Sequence, residues 1–279
     1  MDQPTVGILH PGSMGAAVAA CAATNAAEVL WCSQGRSPAS AARAEQAGLT
    51  PVSTLRELLD RSGIVISLCP PAAAEGLAGD VAGHAFTGVY VEANAISPER
   101  TVRIAGLLKS AAAVVDGAVV GSPPVRGKTP TLYLSGPTAA TTTVETVFAG
   151  TAVRTKVLGT KAGQASALKL SYTAYQKASR VLAALATGMA RQYDVDQELL
   201  EVAARRSTSY LAEPAYIPKV ATRAWRWGPE LEEAADTLAA ASLPPEMLRA
   251  AASTLARWHD AKDDSEFSVA DALEQLAQP

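Results

Sequence analysis

Gly12 and Gly15 stand three residues apart in His10-Pro11-Gly12-Ser13-Met14-Gly15, directly after the apolar run Val6-Gly7-Ile8-Leu9. Glycines at that spacing suit a turn between strand and helix whose backbone N–H groups and helix dipole face a pyrophosphate. Gly12 would let the chain approach the phosphates, and Gly15 would let the helix pack on the strand. The first glycine of the usual G-x-G-x-x-G pattern is His10 here, read as a structural cap beneath the turn rather than as an acid. About twenty residues on, where a residue that reads the ribose belongs, the run Glu28-Val29-Leu30-Trp31 ends at Cys32-Ser33-Gln34-Gly35-Arg36-Ser37 with no carboxylate. Two hydroxyls, Ser33 and Ser37, and the Arg36 guanidinium suit a 2′-phosphate, because guanidinium binds phosphate in bidentate fashion. The reading is NADP(H), with a solvated loop and an incidental arginine as the alternative.

These residues need a scaffold. The apolar runs Glu28–Trp31, Ile64–Leu68, Gly88–Glu92, Ala113–Asp116 and Thr131–Ser135 alternate with helical patterns over Met14–Ala23, Arg36–Leu49, Ala72–Gly83 and Glu99–Lys109. That alternation predicts an α/β fold, a Rossmann-type doubly wound parallel sheet. Continuous rather than alternating apolar strands predict burial on both faces. From Ala162 to Tyr193 the chain holds no proline and keeps helical spacing, at Ala165, Leu168, Tyr172, Tyr175, Val181 and Leu182. The remainder is helical, with breaks expected at Pro214, Pro218, Pro229 and Pro244-Pro245, a charged loop over His259–Asp264 and a short terminal helix over Ser268–Leu276. The expected division is a dinucleotide-binding domain over 1–160 and an all-α domain over 161–279 for substrate and dimerisation. A helix of such length joins domains or packs on a second subunit, so a homodimer is expected.

Composition narrows the partners. The 279 residues suffice for two cores. Lys plus Arg number 24 against 27 Asp plus Glu, which gives no case for nucleic acid or anionic membrane as a partner. Cys21, Cys32 and Cys69 are odd in number and lie in apolar segments, as reduced residues of a cytoplasmic protein do. The three histidines are far apart, so no metal is expected, and no apolar run is long enough to span a bilayer.

The order of motifs resembles the superfamily of β-hydroxyacid and 6-phosphogluconate dehydrogenases, to which imine reductases also belong. The turn His10–Gly15 is similar to its G-x-G-x-M-G. Leu68-Cys69-Pro70-Pro71 is similar to its strand ending in leucine-proline, and Glu92-Ala93-Asn94-Ala95-Ile96-Ser97-Pro98 to its D-x-S-T-I-x-P. Asp116–Ser122 is similar to the substrate loop D-A-P-V-S-G-G, and Gly163–Lys169 to the catalytic G-x-G-x-x-x-K. Ala224-Trp225-Arg226-Trp227 looks like part of a C-terminal domain of bacterial phosphogluconate-dehydrogenase-like proteins. The resemblance implies hydride transfer with NADP(H) and a small-molecule substrate. It implies cofactor contacts at His10, Pro11, Gly12, Ser13, Met14, Gly15, Cys69, Pro70 and Asn94.

Three departures bear on the substrate. The serine that holds a substrate carboxylate in the family is Val120 here, with Ser122 two residues on; Tyr172 and Thr173 stand where polar residues, often Asn, follow the lysine; and the glutamate acid of decarboxylating members is Gln176. A sugar-phosphate decarboxylase is therefore not expected.

Hydride transfer to a C=O or C=N carbon leaves charge on the heteroatom, so a proton donor must lie within hydrogen-bond reach. Lys169 is read as that donor in reduction and as the base in oxidation. Tyr172, Thr173 and Gln176 share its helix face at i+3, i+4 and i+7, and partial desolvation there would lower a lysine pKa. Tyr172 either donates beside Lys169 or packs in the core. Asn94 holds the nicotinamide amide or the substrate, or else caps a turn. Ser122 and Pro123 line the substrate site or form a plain proline loop, and Trp227 is a candidate apolar wall. Arg226, Glu230 and Glu233 read as a solvated face. The reading is an NADP(H)-dependent oxidoreductase acting on a small carbonyl or secondary alcohol. The alternatives are an imine reductase and, from another class, a non-catalytic NADP(H)-binding sensor or scaffold.

Overall fold

The computed structural model describes residues 3–278 apart from 207, 209, 211–212, 241 and 263, and gives backbone alone at 177, 180, 183–185, 188, 226, 230, 232–234, 237 and 240. The expected charged face of Arg226, Glu230 and Glu233 therefore lies outside the described side chains. By its contacts the chain divides into Met1–Thr173 and Ala174–Pro279.

The first unit runs β1 (Thr5–Ile8), α1 (Ser13–Ala22), β2 (Glu28–Cys32), α2 (Pro38–Gln46), β3 (Thr50–Val52), α3 (Leu55–Arg61), β4 (Ile64–Ser67) and α4 (Ala74–Gly83). It continues with β5 (Val89–Glu92), α5 (Pro98–Leu107), β6 (Ala113–Val120), β7 (Thr131–Ser135), α6 (Thr138–Phe148) and β8 (Arg154–Gly159). All eight strands form one sheet in the order β3-β2-β1-β4-β5-β6-β7-β8. The first six are parallel, β7 is antiparallel to β6, and β8 is parallel to β7. Strand order reverses between β1 and β4, so the crevice that α/β sheets use for ligands opens at their carboxyl ends.

Both faces of the sheet are buried, as the continuous apolar strands require. Ile64 and Ile66 pack into one cluster with Val18 of α1, Ala44 of α2 and Phe148 of α6. Val65, between them, points into the other with Leu58, Val81 and Ile104 of α3, α4 and α5.

The structure corrects the sequence reading in several places. The sheet is mixed rather than all parallel. Beyond Thr131–Ser135, where the run of expected strands ends, α6 and a further strand, β8, follow. The edge strand β8 escaped notice because Arg154, Lys156 and Val157 are exposed, which interrupts the apolar run. Pro229 does not break its helix.

α7 (Gln164–Gln192) carries the division between units at Thr173. The second unit adds α8 (Asp196–Ala204), α9 (Ile217–Ala221), α10 (Ala224–Ala240), α11 (Glu246–Leu255) and α12 (Val269–Ala277). Pro229 is the sixth residue of α10, so its missing N–H removes one early rung of the ladder and the helix continues. Trp258 and Leu255 form a small core with Ala221, Ala224, Ala261 and Ala272, and the Trp258 indole donates to the Ala272 carbonyl at 2.9 Å. Trp227 packs against this core, whereas Trp225 is 52% exposed beneath the Lys262 ammonium. Of the expected charged loop over His259–Asp264, the first three residues lie instead in a 3-10 segment, Ala256–Ala261, held by Trp258, and Lys262 and Asp264 follow it outside any helix. Among the described residues no helix is long and apolar enough to cross a membrane.

Candidate functional site

At the end of β1 the chain turns at Pro11 and enters α1 with Gly12 as its N-cap and no side chain capping it. The first amides of α1 are thus left for an anion. Gly15 is required by contact: a Cβ there would lie 2.2 Å from the His10 carbonyl oxygen. A Cβ at Gly12 would meet only the His10 ring, at 3.2 Å. Ser13 is exposed, and Met14 packs on the core. A glycine cradle and an uncapped helix start fit a pyrophosphate.

Two arginines reach this turn from beyond β2. Arg36 Nη2 donates to the Leu9 carbonyl at 2.8 Å, and Arg36 Nη1 lies 3.1 Å from His10 Nδ1. A guanidinium has only donors, so Nδ1 accepts and the imidazole is neutral. Burial pushes the His10 pKa down, and Arg36 and Arg43 push it further in the same direction. Arg43 Nε donates to the Pro11 carbonyl at 3.2 Å, a contact nothing in the sequence pattern indicated. Arg36 Nε is buried and has no hydrogen-bond partner, a donor that fits an added anion. Ser33 and Ser37 are both exposed. The Ser33 hydroxyl donates to the Val52 carbonyl, and Ser37 caps α2 by accepting from Ser40 N.

At the ends of β4 and β5, Asn94 is 1% exposed and heavily engaged. Its Oδ1 accepts from Cys69 N at 2.5 Å, and its Nδ2 donates to Ser67 Oγ at 2.9 Å and to Glu92 Oε1 at 2.5 Å. The side-chain amide thus ties the two strand ends together, leaving one Oδ1 lone pair uncommitted. Pro70 beside it is exposed. Glu92 is fully buried, and burial pushes its carboxyl up to about 7, with Asp116 adding to the rise and the Asn94 bonds opposing it. Burial likewise pushes the Tyr90 hydroxyl and the Cys69 thiol up.

Asp116, also fully buried, organises the far side. Its Oδ2 accepts from Gly163 N at 2.8 Å, Ala165 N at 2.9 Å, Ser166 N at 3.2 Å and Ser135 Oγ at 3.0 Å. Its Oδ1 accepts from Ser166 Oγ at 2.6 Å. The carboxylate is therefore the cap of α7, placed where the helix dipole favours negative charge. One turn on, Lys169 is half-buried and its Nζ donates to the Val119 carbonyl at 2.7 Å. The ammonium is held at the carboxyl end of β6, beside the loop that carries exposed Ser122 and half-buried Pro123. Tyr172 is 37% exposed rather than in the core, and Thr173 is half-buried. Gln176 and Trp227 belong to the second unit. Sequence reasoning quoted Glu92 and Asp116 within motifs but assigned them no role.

Replacing Asp116 by Asn sets an NH2 group among converging donors. Asp116→Asn should cost about 1.5–3 kcal/mol, the range for hydrogen bonds to a charged group. The urea midpoint checks it, and an unchanged midpoint would show that α7 is held some other way.

Residues 5–159 match the NAD binding domain of 6-phosphogluconate dehydrogenase, and residues 190–258 match a domain of unknown function, DUF1932. An uncharacterized 28.5 kDa protein from the 7S RNA 5′ region of Methanothermus fervidus is 29% identical over 175 residues, 63% of this chain. That match spans 66% of the relative's own length. Among solved structures, the imine reductase of Streptomyces aurantiacus superposes with a TM-score of 0.75 at 19% identity, over 98% of this chain and 100% of that one. A reductive aminase from Aspergillus terreus, in complex with NADPH and ethyl levulinate, superposes with a TM-score of 0.72 at 19% identity, over 98% and 99%. At these identities the likeness is one of fold. With more than half its length matched, the chain belongs to the family of the NAD binding domain of 6-phosphogluconate dehydrogenase.

Proposed function

We propose that this protein is an NADP(H)-dependent oxidoreductase that moves hydride between the nicotinamide and a small carbonyl or secondary alcohol. The observation that carries the proposal is the Lys169 ammonium, drawn onto the Val119 carbonyl at the carboxyl edge of the sheet rather than out into solvent. Bound there, the nicotinamide would supply or accept hydride. Lys169 holds a proton at Nζ, gives it to the substrate heteroatom in reduction and recovers it in oxidation. Val119 orients that ammonium, and Tyr172, Thr173 and Gln176 are the polar residues that follow it on α7. Ser122, Pro123 and Trp227 are proposed to line the substrate site.

His10, Pro11, Gly12, Ser13, Met14 and Gly15 would hold the pyrophosphate, with Cys69, Pro70 and Asn94 at the nicotinamide end. Asn94 acts there through the backbone it fixes and through its remaining Oδ1 lone pair. Arg36, with Ser33 and Ser37, would take the 2′-phosphate. The support is the absence of a carboxylate after β2 and the anchored guanidinium with its unpartnered Nε. An imine in place of the carbonyl is the second reading. It is favoured by Val120, an apolar side chain where family members hold a carboxylate, and by the fold shared with imine reductases and a reductive aminase. We assign residues 1–160 to the dinucleotide and 161–279 to substrate and dimerisation. Cys21, Cys32 and Cys69 are unpaired, which agrees with a reducing, cytoplasmic setting.

A homodimer is part of the same reading. Val181, Tyr193, Val195, Leu200 and Val202 are each 47% exposed or more. Some of them border a 580 Å³ apolar cavity between α7 and α8. Apolar surface gathered in this way marks an interface, and a second copy of the chain fits an apolar face that both copies share.

Lys169→Ala should retain NADPH binding and lose turnover by about 10²–10⁴-fold, the range for a general acid. Steady-state assays on a panel of cyclic imines, ketones and hydroxyacids, with a parallel NADPH titration, provide the check. Full turnover in the variant would point to another donor, and no turnover by either protein on any member would favour a sensor. Arg36→Ala should weaken NADPH by about tenfold or more, as loss of a charge-assisted contact does, while NADH changes little. Equal weakening of both cofactors would reduce Arg36 to a support for the turn. Sedimentation should give a dimer at micromolar concentration; a monomer there contradicts the assignment of the apolar face.

A further inference from the structure

Glu92 and Asp116 face each other in register across β5 and β6, both fully buried at the carboxyl end of the sheet. Adjacent parallel strands lie about 4.8 Å apart, so two negative charges there would repel strongly in a medium that cannot screen them. Their surroundings decide which one carries the charge. Asp116 is met only by donors, three amides at the start of α7 and two serine hydroxyls. The Ser166 hydroxyl that donates to it lies 2.9 Å from Thr101 Oγ1 of α5, which extends the chain of hydrogen bonds outward. Glu92 has two donors, both from Asn94 and both on Oε1, while Oε2 is buried with no partner. Two residues earlier on the same strand and face, the Tyr90 hydroxyl is equally buried and makes no hydrogen bond of good geometry, although it lies near enough to the carboxyl to ease its ionisation a little. A buried carboxylate oxygen without a donor costs far more than a neutral carboxyl O–H in the same place.

We propose that Glu92 is a positioning residue that works as a neutral carboxylic acid. It holds the Asn94 loop through Oε1 and leaves the single negative charge of the pair on Asp116, where the cap of α7 needs it. The groups that face Glu92 are Asp116 from β6, Tyr90 and Asn94 from its own strand and loop, and Ser67 and Cys69 from the end of β4. Burial first and the Asp116 charge second resist its ionisation, against the Asn94 bonds and the Tyr90 hydroxyl, which favour the charged form. When Glu92 does ionise, the second charge sits beside the carboxylate that anchors α7. The strain then falls on the helix start one turn before Lys169 and on the Asn94–Cys69 bond. The consequence for catalysis rests on the role proposed for Lys169; the protonation and the anchoring do not.

The sign of the pH effect follows from linkage. The folded chain keeps a proton that the unfolded chain loses at the ordinary glutamate value, so stability falls as pH rises from there to about 7 and then levels off. Urea unfolding from about pH 5 to pH 8 reads this, with the unfolding constant growing by up to about tenfold per pH unit inside the window. Glu92→Gln keeps a neutral side chain that can still accept from Asn94, and should remove that slope. Hydrogen exchange, corrected for intrinsic rate, should show the Ala165 and Ser166 amides losing protection across the same window in the wild type and not in the variant. Parallel pH profiles for the two proteins would overturn the proposal. If Glu92→Gln does not fold, infrared spectra of wild-type protein carrying ¹³C-labelled glutamate decide. A protonated-carboxyl band that persists above the ordinary glutamate range supports the proposal, and its loss with the bulk carboxylates overturns it. None of these measurements uses a cofactor, so a chain that failed to bind NADPH would sink the functional reading and leave this one standing.

Discussion

A single buried carboxylate holds this molecule's working parts in place. Removing a charge from water is expensive unless donors replace the lost hydration, and Asp116 collects five of them. Those donors come from β7 and from the first turn of α7, so the same contact that solvates the charge fixes where a 29-residue helix begins. Three residues beyond Asp116, on the same strand, the Val119 carbonyl receives the Lys169 ammonium. The anchor of the helix and the target of its lysine thus belong to one strand, β6. Their separation is set by strand geometry rather than by a loop. That is the rigidity the proton donor proposed here would need, because efficiency depends on hydrogen-bond distances held to a few tenths of an ångström.

How much of this could be read from the sequence follows from what each element had to hide. Strands β1, β2, β4 and β5 are buried on both faces, and burial on both faces leaves a continuous apolar run that anyone can see. β8 sits at an edge with Arg154 and Lys156 in solvent, a common defence of an open edge, and the defence erased its signature. α6 was missed because Thr138, Thr141, Thr142, Thr143 and Thr146 are poor helix formers. It is held by the packing of Val144, Val147 and Phe148, which a sequence does not display. The turn at Gly12 and Gly15 was legible because a glycine at a close approach has no substitute. Glu92 and Asp116 were not, since an acidic residue at a strand end looks like the place where the chain meets water. Only the fold shows that β6 runs on past Asp116 to Val120 and that both carboxyls are buried.

Two departures from the dinucleotide fingerprint, His10 for the first glycine and Arg36 where a carboxylate would stand, have a common explanation in one contact. The first position of the turn does not require glycine here: His10 is absent from the residues with left-handed φ, so its side chain costs no backbone strain. What the imidazole adds is an acceptor, Nδ1, directed at Arg36. An arginine on an exposed loop has many rotamers to lose before it can hold anything. Bound to the Leu9 carbonyl and to His10, it has already lost them. The neutral state of His10 is part of the arrangement, because an imidazolium would repel the guanidinium it is meant to hold. Arg36 itself, with Arg43 behind it, is among the causes that keep the ring uncharged. Glycine at position 10 would therefore restore the usual motif and leave the arginine with the Leu9 carbonyl alone, so neither substitution can be judged as a defect without the other.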